Sequence, residues 1–328
     1  MLTCENDVHY FASPDFLTFA LHTLTCISLP THALGFYCIL YKTPTIMNSV
    51  KLPMIVLSSL CFSLDIVITL LGVPYAMFPA MAGFGIGLID SPGLYLYLMV
   101  TIITATTTSV TVMFENRFFV LFAEQSWWRH VRKTVIFVNY LINVTYFLPA
   151  QFLIPEQDAA RKIVWESLGC QPILPEHRQL FVLSTDFTVP AYSILTGSTI
   201  VTSQNMLLLM LNIYYLTCAK PESKLSAKTI KLQRKLAFAL LVQSVAIMDL
   251  AAFPIIGVIY SIRAWYHSQV LNNVIFIALS AHGTASTLVM LFAHKPYRDF
   301  VLSPLRQMMY RAPVILVTSK RESGTAIE

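Results

Sequence analysis

The chain has 328 residues, of which 56% are hydrophobic and 12% charged, with a mean hydropathy of +0.64 and a formal net charge of +5. A soluble domain carries about 25% charged residues, so 22 Lys+Arg and 17 Asp+Glu are too few to solvate a globular surface of this size. A soluble enzyme, a nucleic-acid binder and a disordered chain are excluded, which leaves an integral membrane protein.

A membrane helix needs about 20 predominantly apolar residues, and backbone facing lipid must be bonded within its own segment. Seven segments meet both conditions: Phe16–Tyr41, Pro53–Pro79, Gly93–Phe114, Thr134–Ile154, Phe187–Thr217, Leu236–Ile262 and Asn273–Ala293. The expected fold is an all-α membrane protein, a seven-transmembrane helix bundle. The fifth span is only mildly apolar from Ser193 to Asn205, and its length exceeds the bilayer. The first fifteen residues hold no Lys or Arg, unlike the n-region of a cleavable signal peptide. They read as a translocated tail, with span one as an uncleaved signal-anchor.

The basic residues set the orientation. With the N-terminus outside, the inner segments 42–52, 115–133, 218–235 and 294–328 hold eighteen of the 22 Lys and Arg, and the outer segments hold four. The division is thus 1–15 outside, 16–293 in the bundle and 294–328 inside. Phe300, Val301, Leu305, Met308 and Met309 follow helical spacing, with Arg298, Arg306 and Arg311 elsewhere. This predicts a short helix at the inner interface after span seven, broken or kinked by Pro304. The third inner loop carries Lys220, Lys224, Lys228, Lys231, Arg234 and Lys235 against Glu222. Such a loop suits lipid headgroups or an intracellular partner.

Of six Cys, Cys26, Cys38 and Cys61 fall within spans and Cys218 at the inner end of span five. Cys4 and Cys170 lie outside, in an oxidising space, and are expected to form a bridge or else remain two thiols. Asn143-Val144-Thr145 has the glycosylation spelling but lies within span four, where modification is not expected.

Ionisable residues inside spans are the candidates for function. Asp65 in span two and Asp249 in span six both lie near mid-bilayer, where a carboxylate must be protonated, paired or bound to an ion. Each reads as a switch element or as a hydrogen-bonded helix fastener, with His282 of span seven as a candidate partner. Span three carries seven small hydroxyl residues between Thr101 and Thr111, the composition of a helix packed on several sides. It ends in Phe114-Glu-Asn-Arg117. Glu115 and Arg117 are two residues apart, so on a helix they point to different neighbours. Arg234 or Lys235 at the foot of span six is the expected partner of Glu115, a pair that would hold the inner face shut. A solvated charge cluster is the alternative.

His294-Lys-Pro-Tyr-Arg-Asp299 spells H-x4-D, a pattern in which a carboxylate orients a general-base His. Pro296 interrupts the spacing, and the sequence has no HExxH, Gly-rich phosphate loop or Cys/His metal pattern. No catalytic residue, metal site or cofactor is assigned. A transporter or channel remains the competing class, although an odd helix count without matched broken helices argues against inverted repeats.

In combination these residues resemble nematode serpentine receptor class H chemoreceptors, within the larger group of str-like seven-helix receptors. The resemblance rests on Tyr10-Phe-Ala-Ser-Pro14, on Tyr41-Lys-Thr-Pro44 with Met47 and Val50-Lys51, and on Asp65 followed by Pro74-Tyr75 and Pro79. It continues through Ala82-Gly83, Gly85-Ile86-Gly87, Phe114-Glu-Asn-Arg117, Leu232-Gln233 and Gln243, and closes with His282-Gly283 and His294-Lys-Pro-Tyr-Arg298. The resemblance implies a G-protein-coupled receptor for an environmental chemical, on the ciliary membrane of sensory neurons, with a small-molecule ligand and a heterotrimeric G protein as partners. The Asp-Arg-Tyr and Asn-Pro-x-x-Tyr spellings of rhodopsin-like receptors are absent, Asp249 is not a feature of the class, and Ala246-Ile247 follow Gln243 where a proline is expected. The ligand pocket is expected in the outer halves of spans three, five, six and seven, lined by Tyr95, Met99, Tyr192, Phe253, Tyr260 and Phe276.

Overall fold

The computed structural model describes residues 9–168, 179–217, 234–235, 238 and 253–304. Cys4, Cys170, Asp249, most of the third inner loop, much of the expected sixth span and the chain from residue 305 onward lie outside the described residues.

Helix α1 (Pro14–Tyr41) starts where the sequence supplies all three start signals. The Ser13 hydroxyl accepts from the Phe16 amide at 3.1 Å, Pro14 takes the first turn and Asp15 faces the positive end of the helix dipole. After a 3-10 turn at Thr45–Met47, α2 (Asn48–Ile66) continues through a π-helical segment, Val67–Gly72. The helix ends there, short of the expected Pro79. Val73 takes a left-handed φ of 41°, and Pro74–Ala76 forms strand β1, paired antiparallel with β2 (Ala82–Gly85). Residues 73–79 are apolar because they enter and form the first half of a hairpin packed on the apolar cluster below it, a property that hydropathy alone cannot separate from spanning lipid. Gly87 lies against the end of the π-helical segment, where a Cβ would meet the Leu71 carbonyl oxygen at 2.5 Å.

Helix α3 (Pro92–Phe118) runs through the middle of the bundle and extends four residues past the expected Phe114. A second π-helical segment, Phe119–Ala123, follows it. Expected span four is α4 (Trp128–Thr145) with α5 (Leu148–Phe152), broken around Tyr146 before Pro149. A surface helix, α6 (Gln157–Leu168), follows, and strand β3 (Phe181–Val182) then completes a three-stranded sheet in the order β1-β2-β3. Then come α7 (Thr188–Thr217), the apolar segment α8 (Phe253–Ala264), α9 (Gln269–Ala293) and α10 (Lys295–Val301). Six of these units are long and apolar enough to cross a membrane, and α8 occupies part of the expected sixth span.

The elements divide the bundle into two ends. At the N-terminal end, the sheet, α6 and the 3-10 turn Tyr10–Ala12 cover an apolar cluster that includes Leu21, Ile68, Met77, Phe84 and Val182. Side chains of the α8–α9 connection and of α9 reach the backbone of this cover. His267 Nδ1 lies 3.0 Å and Asn272 Nδ2 3.2 Å from the Phe78 carbonyl oxygen, and Asn273 Nδ2 donates to the Phe11 oxygen at 2.9 Å. At the opposite end α10 docks on α1. The Tyr297 hydroxyl lies 2.7 Å from the Thr43 hydroxyl, and the Lys42 ammonium sits 4.5 Å from the centre of the Phe300 ring.

Candidate functional site

Mid-bundle, one polar cluster joins α1, α2 and α9. Asp65 is fully buried, and its Oδ2 lies 2.9 Å from His32 Nε2 and accepts from the Thr284 hydroxyl at 3.1 Å. On the other side of the ring, His32 Nδ1 lies 3.0 Å from the Thr287 hydroxyl, itself 3.2 Å from the Gly283 carbonyl oxygen. Gly283 makes this approach feasible, since a Cβ there would run into the Asp65 carboxylate, and a Cβ at Gly35 would meet the Thr287 methyl at 2.6 Å. The partner of Asp65 is therefore His32, not the expected His282, which is buried elsewhere on α9. The sequence offered a signal for this: α1 and α2 are antiparallel neighbours joined by a short connection, and His32 is a polar residue deep in the first of them.

Each nitrogen of the His32 ring thus has a partner, Asp65 Oδ2 on one side and the Thr287 hydroxyl on the other, so the ring bridges α2 and α9 from its place on α1. Interhelical hydrogen bonds in membrane bundles contribute about 0.6 kcal/mol on average and up to about 2, so the cluster fastens three helices without locking them.

Span three is stitched to both neighbours by its hydroxyls and carbonyls. Asn143 Nδ2 donates to the Thr108 hydroxyl at 3.0 Å, and the Tyr140 hydroxyl lies 2.7 Å from that of Ser109. The amide in the glycosylation spelling is therefore buried and used within the bundle. Asn205 and Asn212, on one face of α7, donate to the Thr107 and Phe114 carbonyl oxygens at 3.3 and 3.1 Å. The small hydroxyl residues thus mark the central helix, as expected of that composition.

At the far end of α3, Glu115 is buried and takes three hydrogen bonds from α4. Trp128 Nε1 and Arg132 Nε donate to Oε1 at 2.7 and 3.0 Å, and Arg132 Nη2 donates to Oε2 at 2.7 Å. Arg132 Nη2 also reaches Asn116 Oδ1 at 3.3 Å, and the guanidinium lies 3.9 Å from the centre of the Phe119 ring. Asn116 in turn donates to the Ser49 oxygen of α2 at 2.9 Å. This corrects the expected pairing with Arg234 or Lys235, both of which are exposed. Arg132 is closer in sequence, and Glu115 and Arg132 meet because the connection through Ala123 turns α4 back along α3.

Arg117, two residues on, is 1% exposed and heads the bulkiest fully buried side chains. It faces the other way, toward His294 at the end of α9. Burial first, and then the Arg117 charge, hold the His294 ring down at about 4, so it is neutral at physiological pH. Both ring nitrogens are buried and form no hydrogen bond among the described residues. Asp299 therefore does not orient His294 as an H-x4-D base would require. His294 packs edge-on against Tyr297 at 5.5 Å, while Pro296 starts α10 and Arg298 Nη1 reaches the Phe292 oxygen at 3.4 Å.

The six expected pocket residues separate into two sets. Tyr95, Met99 and Phe276 are buried at the N-terminal end, where Tyr95 packs on Gly72 and Gly85 and Phe276 stacks with Phe78 at 6.4 Å. Tyr192, Phe253 and Tyr260 are exposed on the outer surface of the bundle and do not converge with the first set. Sequence reading missed a cleft of about 310 Å³ between the β2–α3 connection, α6 and β3, lined by Asp90, Gln157, Arg161 and Gln179 among others. Arg161 is held there by the Leu180 oxygen at 2.7 Å and Asp158 at 2.9 Å.

Comparison with known proteins agrees with this geometry. The structure is similar to that of squid rhodopsin, with a TM-score of 0.53 over 94% of this chain and 88% of that one at 12% identity, which places it among seven-transmembrane folds. The sequence is 26% identical over 309 residues to serpentine receptor class H-72 of Caenorhabditis elegans, covering 92% of this chain and 88% of the relative. Residues 12–307 match the family model described as serpentine type 7TM GPCR chemoreceptor Srh. The chain is a multi-pass membrane protein of the receptor type, and it belongs to the Srh family of serpentine seven-transmembrane chemoreceptors.

Proposed function

We propose that this receptor detects an environmental small molecule on the outer side of a sensory-cell membrane, in neurons a ciliary one, and signals to a heterotrimeric G protein inside. In this reading the N-terminal end, with its sheet and cleft, faces outward, and the end carrying Glu115, Arg117 and α10 faces the cytosol. The observation that carries it is family membership over residues 12–307, joined to a buried Glu115–Arg132 clamp at the end that faces the cytosol in this reading. Hydrogen bonds to charged groups contribute about 1.5–3 kcal/mol each. Ligand-to-partner couplings run about 1–3 kcal/mol. The three bonds to Glu115 together exceed one such coupling, so the clamp holds one arrangement, and a ligand releases it only where the other arrangement supplies contacts that replace part of it.

The mechanism is a shift between two helix arrangements by a ligand with differential affinity for them. The ligand end and the clamp are linked by α3, which carries Met99 near one end and Glu115 at the other, with the His32–Asp65–Thr284 cluster bracing its neighbours. The cleft beside Asp90 and Arg161 lies near the lower bound of small-molecule sites, about 300 Å³, and is the candidate entry surface.

The test is nucleotide exchange on a purified G protein added to the reconstituted receptor, across a panel of volatile and water-soluble small molecules. Exchange that rises with one compound supports the reading. Ion or solute flux in liposomes holding the receptor alone, with no compound raising exchange, would favour a transporter or channel.

A further inference from the structure

The first two turns of α4 gather charge in a way that helix formation alone does not favour. Arg129, Arg132 and Lys133 stand at i, i+3 and i+4, so they share one face, and His130 lies beside them. Like charges at this spacing repel, and cations at a helix start oppose its dipole. Glu115 offsets Arg132, and Glu124 in the preceding turn is the nearest other acid in sequence. Arg129, His130, Lys133 and Glu124 are all exposed.

Two further observations say what covers this face. Trp127 precedes it and is 71% exposed, an aromatic ring at the boundary where a membrane-spanning helix begins. From Lys133 the same face continues through Phe137, Leu141 and Val144, all exposed apolar side chains. The face is therefore cationic at its foot, aromatic at its edge and apolar above, which complements one amphiphile with an anionic head and hydrocarbon tails. Arg132 adds a directed donor. Its Nε and Nη2 are committed to Glu115 and Asn116, whereas Nη1 makes no hydrogen bond among the described residues and is not among the buried polar atoms.

We propose that the foot of α4 is a binding site for an anionic phospholipid, whose headgroup is held by Arg129, Lys133 and Arg132 Nη1 beside Trp127 and whose tails lie along Phe137, Leu141 and Val144. The headgroup and Glu115 share the Arg132 guanidinium, so lipid composition acts on the clamp at the end of α3. This site does not depend on the identity of the chemical ligand or of the G protein.

The full-length receptor in phosphatidylcholine nanodiscs, doped with brominated phosphatidylserine or with brominated phosphatidylcholine at matched fractions, tests it through tryptophan quenching. Brominated phosphatidylserine should quench more, and Trp127→Phe should remove most of the excess. Arg129→Gln and Lys133→Gln should each weaken the preference about fivefold, while Lys162→Gln on α6 at the opposite end leaves it intact. Equal quenching by the two lipids, or an undiminished preference in the double variant, would overturn the proposal. So would loss of the preference on adding soluble glycerophosphoserine, which would mark a site for a free anion.

Discussion

Leu21, Ile68, Met77 and Phe84 are almost wholly excluded from solvent at the N-terminal end, whereas the opposite end, beside an apolar cluster of its own that includes Met47, Val50, Met54 and Met113, also buries the charged and polar groups Glu115, Asn116, Arg117 and His294. Apolar burial is non-directional and accumulates at about 25 cal/mol per Å², so the first end comes apart only when much of its surface separates together. Charge-assisted bonds are directional, and each is lost or regained by one side-chain movement. A receptor needs one end that keeps its shape around a ligand and another that changes for a partner, and the two kinds of burial suit those tasks.

The contrast can be broken or sharpened residue by residue. The largest effect is expected from Phe84→Ala, which empties a site stacked on Tyr75 at 4.9 Å. It should lower stability by about 3–5 kcal/mol, seen as a large fall in melting temperature in detergent, with basal signalling per folded receptor unchanged.

Acidification should act on the other end. An unfolded His binds a proton near 6.5, whereas folded His294 binds one only near 4. Between those values the unfolded chain holds the extra proton, so stability present above about 6.5 is lost as pH falls toward 4. The loss is of order 3 kcal/mol, and His294→Asn should flatten that part of the melting-temperature profile.

Tyr297→Phe removes the 2.7 Å bond to Thr43 that seats α10 on α1, and thermal melting should register about 1 kcal/mol. Tyr260→Ala tests the smallest effect. Its ring is exposed on the bundle surface, so stability and ligand response should stay within about 0.5 kcal/mol of the parent. A large loss of response would return it to the pocket.

Much of the architecture is legible in the sequence because spanning a bilayer imposes a length and a composition. The starts of α1 and α3 fall within two residues of the expected ones, since Ser-Pro and Ser-Pro-Gly announce them. What hydropathy lacks is rotation about the helix axis. Helix α7 spreads Ser and Thr around its axis, and only Asn205 and Asn212 mark the face that meets α3, a signal too sparse for hydropathy to assign Tyr192 to a ligand or to lipid. The same gap explains the partners. Asp65 and Glu115 stand out as charges needing neutralisation, but His32 and Arg132 are selected by which faces of α1 and α4 meet them. The hairpin was hidden for a different reason: a strand buried on both sides reads as one more apolar run.

Under the proposed function, the Glu115–Arg132 pair holds its end of the bundle in a resting arrangement. The most direct measurement is basal nucleotide exchange by a G protein added to the reconstituted receptor, compared among Glu115→Arg, Arg132→Glu and the double exchange. Each single change should raise basal exchange by at least about tenfold, since the loss of even one charged hydrogen bond removes roughly 1.4 kcal/mol of restraint, and the double exchange should bring it back toward the parent. Basal exchange unchanged in both single variants, or raised equally in all three, would contradict the claim.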